Sequence, residues 1–98
     1  MTGKIRVLVV DDSAFARQVV RRVLERAGDL EVVGIARDGA EALEKVTLLQ
    51  PDVVTLDLVM PGIDGLGVLE ALPRDGGPRV VVVSSASSNS ELGIAALA

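Results

Sequence analysis

The chain contains no cysteine, histidine, tryptophan or tyrosine, and Phe15 is its single aromatic residue. Without cysteine there is no disulfide framework, no thiolate nucleophile and no Cys-ligated metal. Without histidine there is no Ser-His-Asp triad and no imidazole base. No apolar run reaches the roughly 18 residues that a membrane span needs. The start, Met1-Thr2-Gly3-Lys4-Ile5-Arg6, lacks the long apolar region and cleavage site of a secretory signal. The expectation is therefore a cytoplasmic protein with no membrane contact. A formal net charge of −4 argues against a broad basic surface for nucleic acid.

At 98 residues, one domain is the limit. Hydrophobic residues make up 49 %, so with one aromatic the core must be built from Val, Leu, Ile and Ala. These fall in short runs. Ile5 to Val10 reads as a strand, apolar on both faces from Val7 onward, and ends in Asp11-Asp12-Ser13. A helical pattern follows. Ala16, Val19, Val20, Val23, Leu24 and Ala27 recur at steps of three and four and predict a buried stripe. Asp12 or Ser13 can cap its start, and Gly28 can stop it. Arg17, Arg21, Arg22, Glu25 and Arg26 fall largely on the other face, which reads as solvated.

Leu30 to Ala36 reads as a second strand, with Glu31 suggesting a sheet edge. Asp38-Gly39-Ala40-Glu41 resembles a helix start in which the acid at the third position reaches back. Ala40, Leu43, Val46 and Leu49 or Thr47 form the expected stripe, and Pro51 closes the helix. Val53 to Leu56 is a third strand that delivers Asp57 to its end. Pro61, Gly62 and Gly65 then turn the chain. Leu66, Leu69 and Leu72 line a short helix ending before Pro73. Val80 to Val83 is a fourth strand, followed by Ser84-Ser85, and Ser88-Asn89-Ser90 is placed to cap a last helix. Strands alternating with amphipathic helices predict a doubly wound α/β fold with a parallel sheet.

Acids follow the first and third strands, and a hydroxyl follows the fourth. Singly, each has a plain explanation. Asp11-Asp12 can be a cap with a solvated acid, Asp57 can start an Asx turn, Asp38 and Asp64 read as caps, and serines often end strands. The joint placement is the signal, because ligands bind outside the carboxyl ends of such sheets. If the first and third strands are neighbours, Asp11, Asp12 and Asp57 converge. Carboxylates brought that close repel one another unless a cation compensates. Mg²⁺, a hard ion with oxygen ligands, fits that demand and suits a carboxylate that accepts a phosphoryl group.

On Val9-Val10-Asp11-Asp12-Ser13, Leu56-Asp57, Met60-Pro61-Gly62-Ile63-Asp64-Gly65 and Val82-Val83-Ser84-Ser85, the sequence resembles the receiver domain of two-component response regulators over its whole length. The resemblance implies a flavodoxin-like (CheY-like) fold of strand order 2-1-3-4(-5). It implies Asp57 as phosphoacceptor from a histidine kinase and Mg²⁺ held by Asp11, Asp12, Asp57 and the backbone carbonyl of Val59. Ser84 would be the switch residue that closes on the phosphoryl group. Val10-Asp11-Asp12-Ser13-Ala14-Phe15-Ala16-Arg17, Leu30-Glu31-Val32-Val33-Gly34 and Pro51 to Asp57 look more narrowly like the N-terminal receiver of the CheB protein-glutamate methylesterase/glutaminase family. A regulated C-terminal output domain is then implied as partner. No catalytic esterase residues lie in this chain.

There are two departures from the family pattern. The family carries a Lys after a fifth strand and then a fifth helix. Here the only lysines are Lys4 and Lys45, and the chain ends in what reads as its fourth helix. The expectation is a receiver truncated before strand five and helix five. Its exposed all-valine fourth strand should then pair two copies or aggregate. Secondly, Val59 is apolar where many relatives are polar, which predicts slow loss of the phosphoryl group. It also disfavours the alternative of a metal-dependent phosphatase with an aspartyl-phosphate intermediate, which usually wants an acid there. The same residues also fit the receiver of a transcriptional or stand-alone regulator, or an unphosphorylated interaction module.

Overall fold

A computed structural model describes residues 3–57, 65–73, 75–83 and 94–97. Its elements are β1 (Ile5–Val10), α1 (Ala14–Glu25), β2 (Leu30–Ala36), α2 (Gly39–Leu49), β3 (Val53–Leu56), α3 (Gly65–Ala71), β4 (Arg79–Val83) and β5 (Ile94–Leu97). The first four strands are parallel in the order β2-β1-β3-β4, the flavodoxin-like arrangement that the family resemblance implied. Right-handed crossovers place α1 on one face of the sheet and α2 on the other, because the chain steps outward to β2 and then back across β1 to β3.

The core lies between the sheet and the α2–α3 layer. Leu8, Val10, Ala36, Ala42, Val54, Leu56, Val68, Leu72, Val80 and Val82 form one buried cluster, with Leu43, Val46, Leu49 and Leu69 packed against it. Alternation along each strand explains the set, since Leu8 and Val10, Val54 and Leu56, and Val80 and Val82 share one face. Val7 and Val9 are also buried, on the other face, so β1 is the apolar centre of the molecule. Gly34 lets α2 pack closely on β2, since a Cβ there would lie 2.7 Å from Leu49 Cδ1 and the leucine tip would have to shift.

The local signals hold at the helix starts. Ser13 Oγ accepts the Ala16 N–H at 3.2 Å. Asp38 Oδ1 accepts the Glu41 N–H at 2.8 Å, and the Glu41 carboxylate reaches back to accept the Arg37 N–H at 2.6 Å. Gln50, in the left-handed region at φ 48°, ends α2 just before Pro51. At the amino ends of the strands, Asp52 joins three of them. Its carboxylate accepts the Arg6 N–H at 2.8 Å, its N–H donates to the Arg6 carbonyl at 2.8 Å, and its own carbonyl accepts the Arg79 N–H at 3.0 Å.

Three expectations need correction. The α1 stripe is not buried. No residue of α1 is fully enclosed, and Val19 is 43 % and Val23 61 % exposed, because no described helix stands beside α1 on its face of the sheet. On α2 the buried stripe is Ala42, Leu43, Val46 and Leu49, while Ala40 and Thr47 are exposed. At the end of the chain, Ile94–Leu97 is a strand and not part of a helix. It runs antiparallel to β4, pairing Val80 with Leu97 and Val83 with Ile94. The edge of β4 is therefore covered within the chain, which removes the reason for expecting two copies to pair there. The serines expected to cap that helix, Ser88 and Ser90, lie outside the described residues.

Leu8 is fully buried and central, so Leu8→Ala should lower the unfolding free energy by about 2–5 kcal/mol. Val19→Ala, on the open side of α1, should cost less than about 0.5 kcal/mol. Urea denaturation followed by circular dichroism separates the two. Equal losses would mean that α1 is buried after all.

Candidate functional site

Register places the acids. β1 and β3 pair in parallel from Val7 with Val53 to Val10 with Leu56, so the next residue of each strand is an aspartate at the same level. The Asp57 N–H donates to the Val10 carbonyl at 3.1 Å, and the Asp11 N–H donates to the Ala36 carbonyl at 3.0 Å. Asp11 and Asp57 thus sit one step beyond the ladder, on backbone held by neighbouring strands. Both are buried, at 3 % and 2 % exposure, whereas Asp12 is exposed. Carboxylate oxygens of Asp11, Asp12 and Asp57 lie within 4.8 Å of one another. Of the five residues expected at the site, these three come together. Val59 and Ser84 lie outside the described residues, as does the Pro61-to-Gly65 turn up to Asp64.

The electrostatics follow from this crowding. Burial pushes the Asp11 carboxyl above its ordinary value of 3.8, and the Asp57 and Asp12 charges push the same way. The Ser13 N–H, donating to Asp11 Oδ1 at 2.9 Å, opposes them. Two buried acids and one exposed acid, with oxygens this close, form a donor set suited to a hard cation open to water on one side. A divalent ion that keeps part of its hydration shell matches that set.

Arg17 is the residue that sequence reasoning missed. Periodicity put it among solvated arginines, but its guanidinium turns inward, and Nη1 donates to the Asp11 carbonyl at 2.8 Å. The only signal that could have found it is position. It stands one helical turn after Ser13, within reach of the acid turn.

A doubly wound parallel sheet with a carboxylate cluster at its carboxyl edge defines the class of protein. Comparison with known proteins defines the family. Residues 7–98 match the response regulator receiver domain model. The chain belongs to the response regulator receiver domain family. It is 71 % identical to protein-glutamate methylesterase/protein-glutamine glutaminase 5 of Myxococcus xanthus, over 99 % of this chain and 28 % of that protein. It thus spans little more than a quarter of that curated relative. Among solved structures it resembles the response regulator domain of Thermotoga maritima CheB, with TM-score 0.79 and 45 % identity over 89 % of this chain and 65 % of that one. It also resembles the signal receiver domain of NarL from Mycobacterium tuberculosis, with TM-score 0.80 and 42 % identity over 90 % of this chain and 72 % of that one. Among the described residues, no helix is long and apolar enough to cross a membrane.

The raised Asp11 pKa has a consequence for stability. Its carboxyl holds a proton more tightly in the folded than in the unfolded chain. Stability therefore falls as pH rises through the window that opens near 3.8 and extends above it. Asp11→Asn removes the buried charge and can still accept the Ser13 N–H. In metal-free buffer it should raise Tm near neutral pH. In a domain of this size the gain is roughly 5–10 °C for every tenfold by which folding tightens the carboxyl's hold on its proton. The gain should vanish as pH is lowered toward about 4. A variant no more stable than the parent near neutral pH would show that the buried charge is not destabilising.

Proposed function

We propose that this receiver accepts a phosphoryl group on Asp57 from a histidine kinase and switches an attached output domain. The observation that carries the reading is the convergence of Asp11, Asp12 and Asp57 within 4.8 Å, two of them buried. An Asp57 oxygen would form the new O–P bond as the P–N bond of the kinase phosphohistidine breaks, and the freed imidazole nitrogen takes up a proton. Asp57 itself is 2 % exposed, so the acyl end of the resulting phosphate would be enclosed. Asp11 and Asp12, with Asp57 and the Val59 carbonyl, would hold Mg²⁺. That ion, when bound, supplies positive charge against the carboxylates and the phosphoryl oxygens. Ser84, following β4, would close on the phosphoryl group and bias the segment beyond it between two arrangements.

The identity to the Myxococcus xanthus enzyme favours a methylesterase/glutaminase as the output domain; chemotaxis receptors as its substrates, and the cytoplasm as its place, are the further part of the proposal. The NarL resemblance, at 42 % identity, favours as a second reading the receiver of another kind of response regulator. The valine at position 59 supplies no acid, which argues against a general phosphatase.

Incubation with Mg²⁺ and acetyl phosphate should add one phosphoryl group, stable in acid and labile in base. Asp57→Ala and chelation of Mg²⁺ should each abolish the adduct. Val59→Asn should shorten its lifetime. A wild-type chain that takes up no phosphoryl group, or an Asp57→Ala chain that still does, removes the reading. Rapid turnover of many phosphoesters would favour the phosphatase.

A further inference from the structure

Asp11 is held at three points. Its N–H donates to Ala36, its carboxylate accepts from Ser13, and its carbonyl accepts from Arg17 Nη1 at 2.8 Å. The first two contacts are local features of a strand end and an Asx turn. The third draws a long side chain back from α1 and leaves Arg17 half-buried. It also encloses Arg17 Nε, which has no hydrogen-bond partner among the described residues. Enclosing an unpartnered N–H and freezing an arginine both cost free energy. The neighbouring arginine along the helix makes no such contact. Arg21 is exposed and pairs only loosely with Glu25 at 3.4 Å.

The Asp11 carbonyl lies just past the end of the β1 ladder, where the chain turns into Asp12 and Ser13. A charged donor on it fixes the orientation of that peptide, and so the direction in which the next residue, Asp12, leaves the strand. We infer that Arg17 is a positioning residue for the acid cluster, clamping the Asp11-Asp12-Ser13 turn so that both carboxylates stay turned toward Asp57. The inference rests on the reading of that cluster as an Mg²⁺ site, and it concerns the conformation of the turn rather than its charge.

Position and charge predict opposite signs, which makes the inference testable. Removing a cation near three carboxylates should, by electrostatics alone, tighten the binding of a divalent ion. Removing a clamp should weaken it, and loss of a group that orients metal ligands typically costs ten- to a hundredfold. Titration of the chain with Mg²⁺, followed through the amide resonances of Ser13 and Asp57, reads both. Arg17→Met should raise the Kd for Mg²⁺ about tenfold. Arg17→Lys, which keeps the charge and one reaching donor, should recover most of the affinity, and Arg21→Met should match the wild type. In metal-free protein, the Ser13 amide proton of Arg17→Met should shift and exchange faster, as its bond to Asp11 Oδ1 loosens. Unchanged or tighter binding with an unmoved Ser13 amide overturns the inference. If Arg17→Met does not fold, Arg17→Gln and Arg17→Lys carry the same comparison. A wild-type chain that binds no Mg²⁺ removes the reading of the site instead. The Ser13 amide then still decides whether Arg17 holds the turn.

Discussion

The parallel pairing of β1 with β3 is the constraint on which the rest depends. It runs from Val7 with Val53 to Val10 with Leu56 and stops one residue short of an aspartate on each strand. Two buried acids at one level of adjacent strands would not stay there by their own interactions. They are held by the apolar strands behind them, in which Val7, Leu8, Val9, Val10, Val54 and Leu56 are all at most 2 % exposed. A slip of one residue would turn each of these side chains to the opposite face, so the register resists adjustment. The far end resists it as well, because Asp52 ties β1, β3 and β4 through two backbone hydrogen bonds and one to its carboxylate. One pole of the sheet pins the register, and the other presents the charge that this register brings together.

The cost of that presentation can be compared with what the fold offers against it. Two unit charges 4.8 Å apart repel by about 3 kcal/mol at an effective dielectric of about 20. The amino end of α1 begins just after the acids, and a helix end is worth about 0.3–1 kcal/mol to a nearby negative charge. The Ser13 N–H on Asp11 adds a further local contact. Burial, joined by the repulsion, outweighs these, which is why the Asp11 carboxyl remains raised. At Asp11, burial and like charge leave a demand for positive charge. Under the proposed function that demand is the useful property, since it makes the site respond to the arrival of a cation and of a phosphoryl group.

Strands and acids could be read from the sequence because each is a local signal. A run such as Val53 to Leu56 is apolar on both faces, and a buried parallel strand is the structure that uses such a run. What failed depended on neighbours. The α1 periodicity showed which side of the helix is apolar, but Val19 and Val23 could be buried only by an element standing beside them. Ile94 to Leu97 is rich in alanine and leucine and reads as helix by propensity. The unpaired N–H and C=O groups along β4 offer a longer-range alternative, and the segment takes it. Propensity is a weak prior wherever a strand edge lies within reach.

Arg17 failed to show for a different reason, and the reason bears on how the site is built. A hydrophobic pattern sorts residues into apolar and polar faces, and an arginine one turn into a helix falls among the polar ones. Nothing in the pattern reports a backbone carbonyl, at Asp11, that needs a donor just past the end of its ladder. Where the guanidinium goes also matters. Had it forked onto the Asp11 carboxylate, a bidentate pair would have neutralised that carboxylate permanently. The cluster would then have little use for a cation. By taking the carbonyl, Arg17 orders the turn and leaves the carboxylate oxygens for other partners. The arrangement separates two tasks that a direct salt bridge would have merged, holding the acids in place and compensating their charge. Arg17 serves the first, and its place on the carbonyl leaves the second open to a cation.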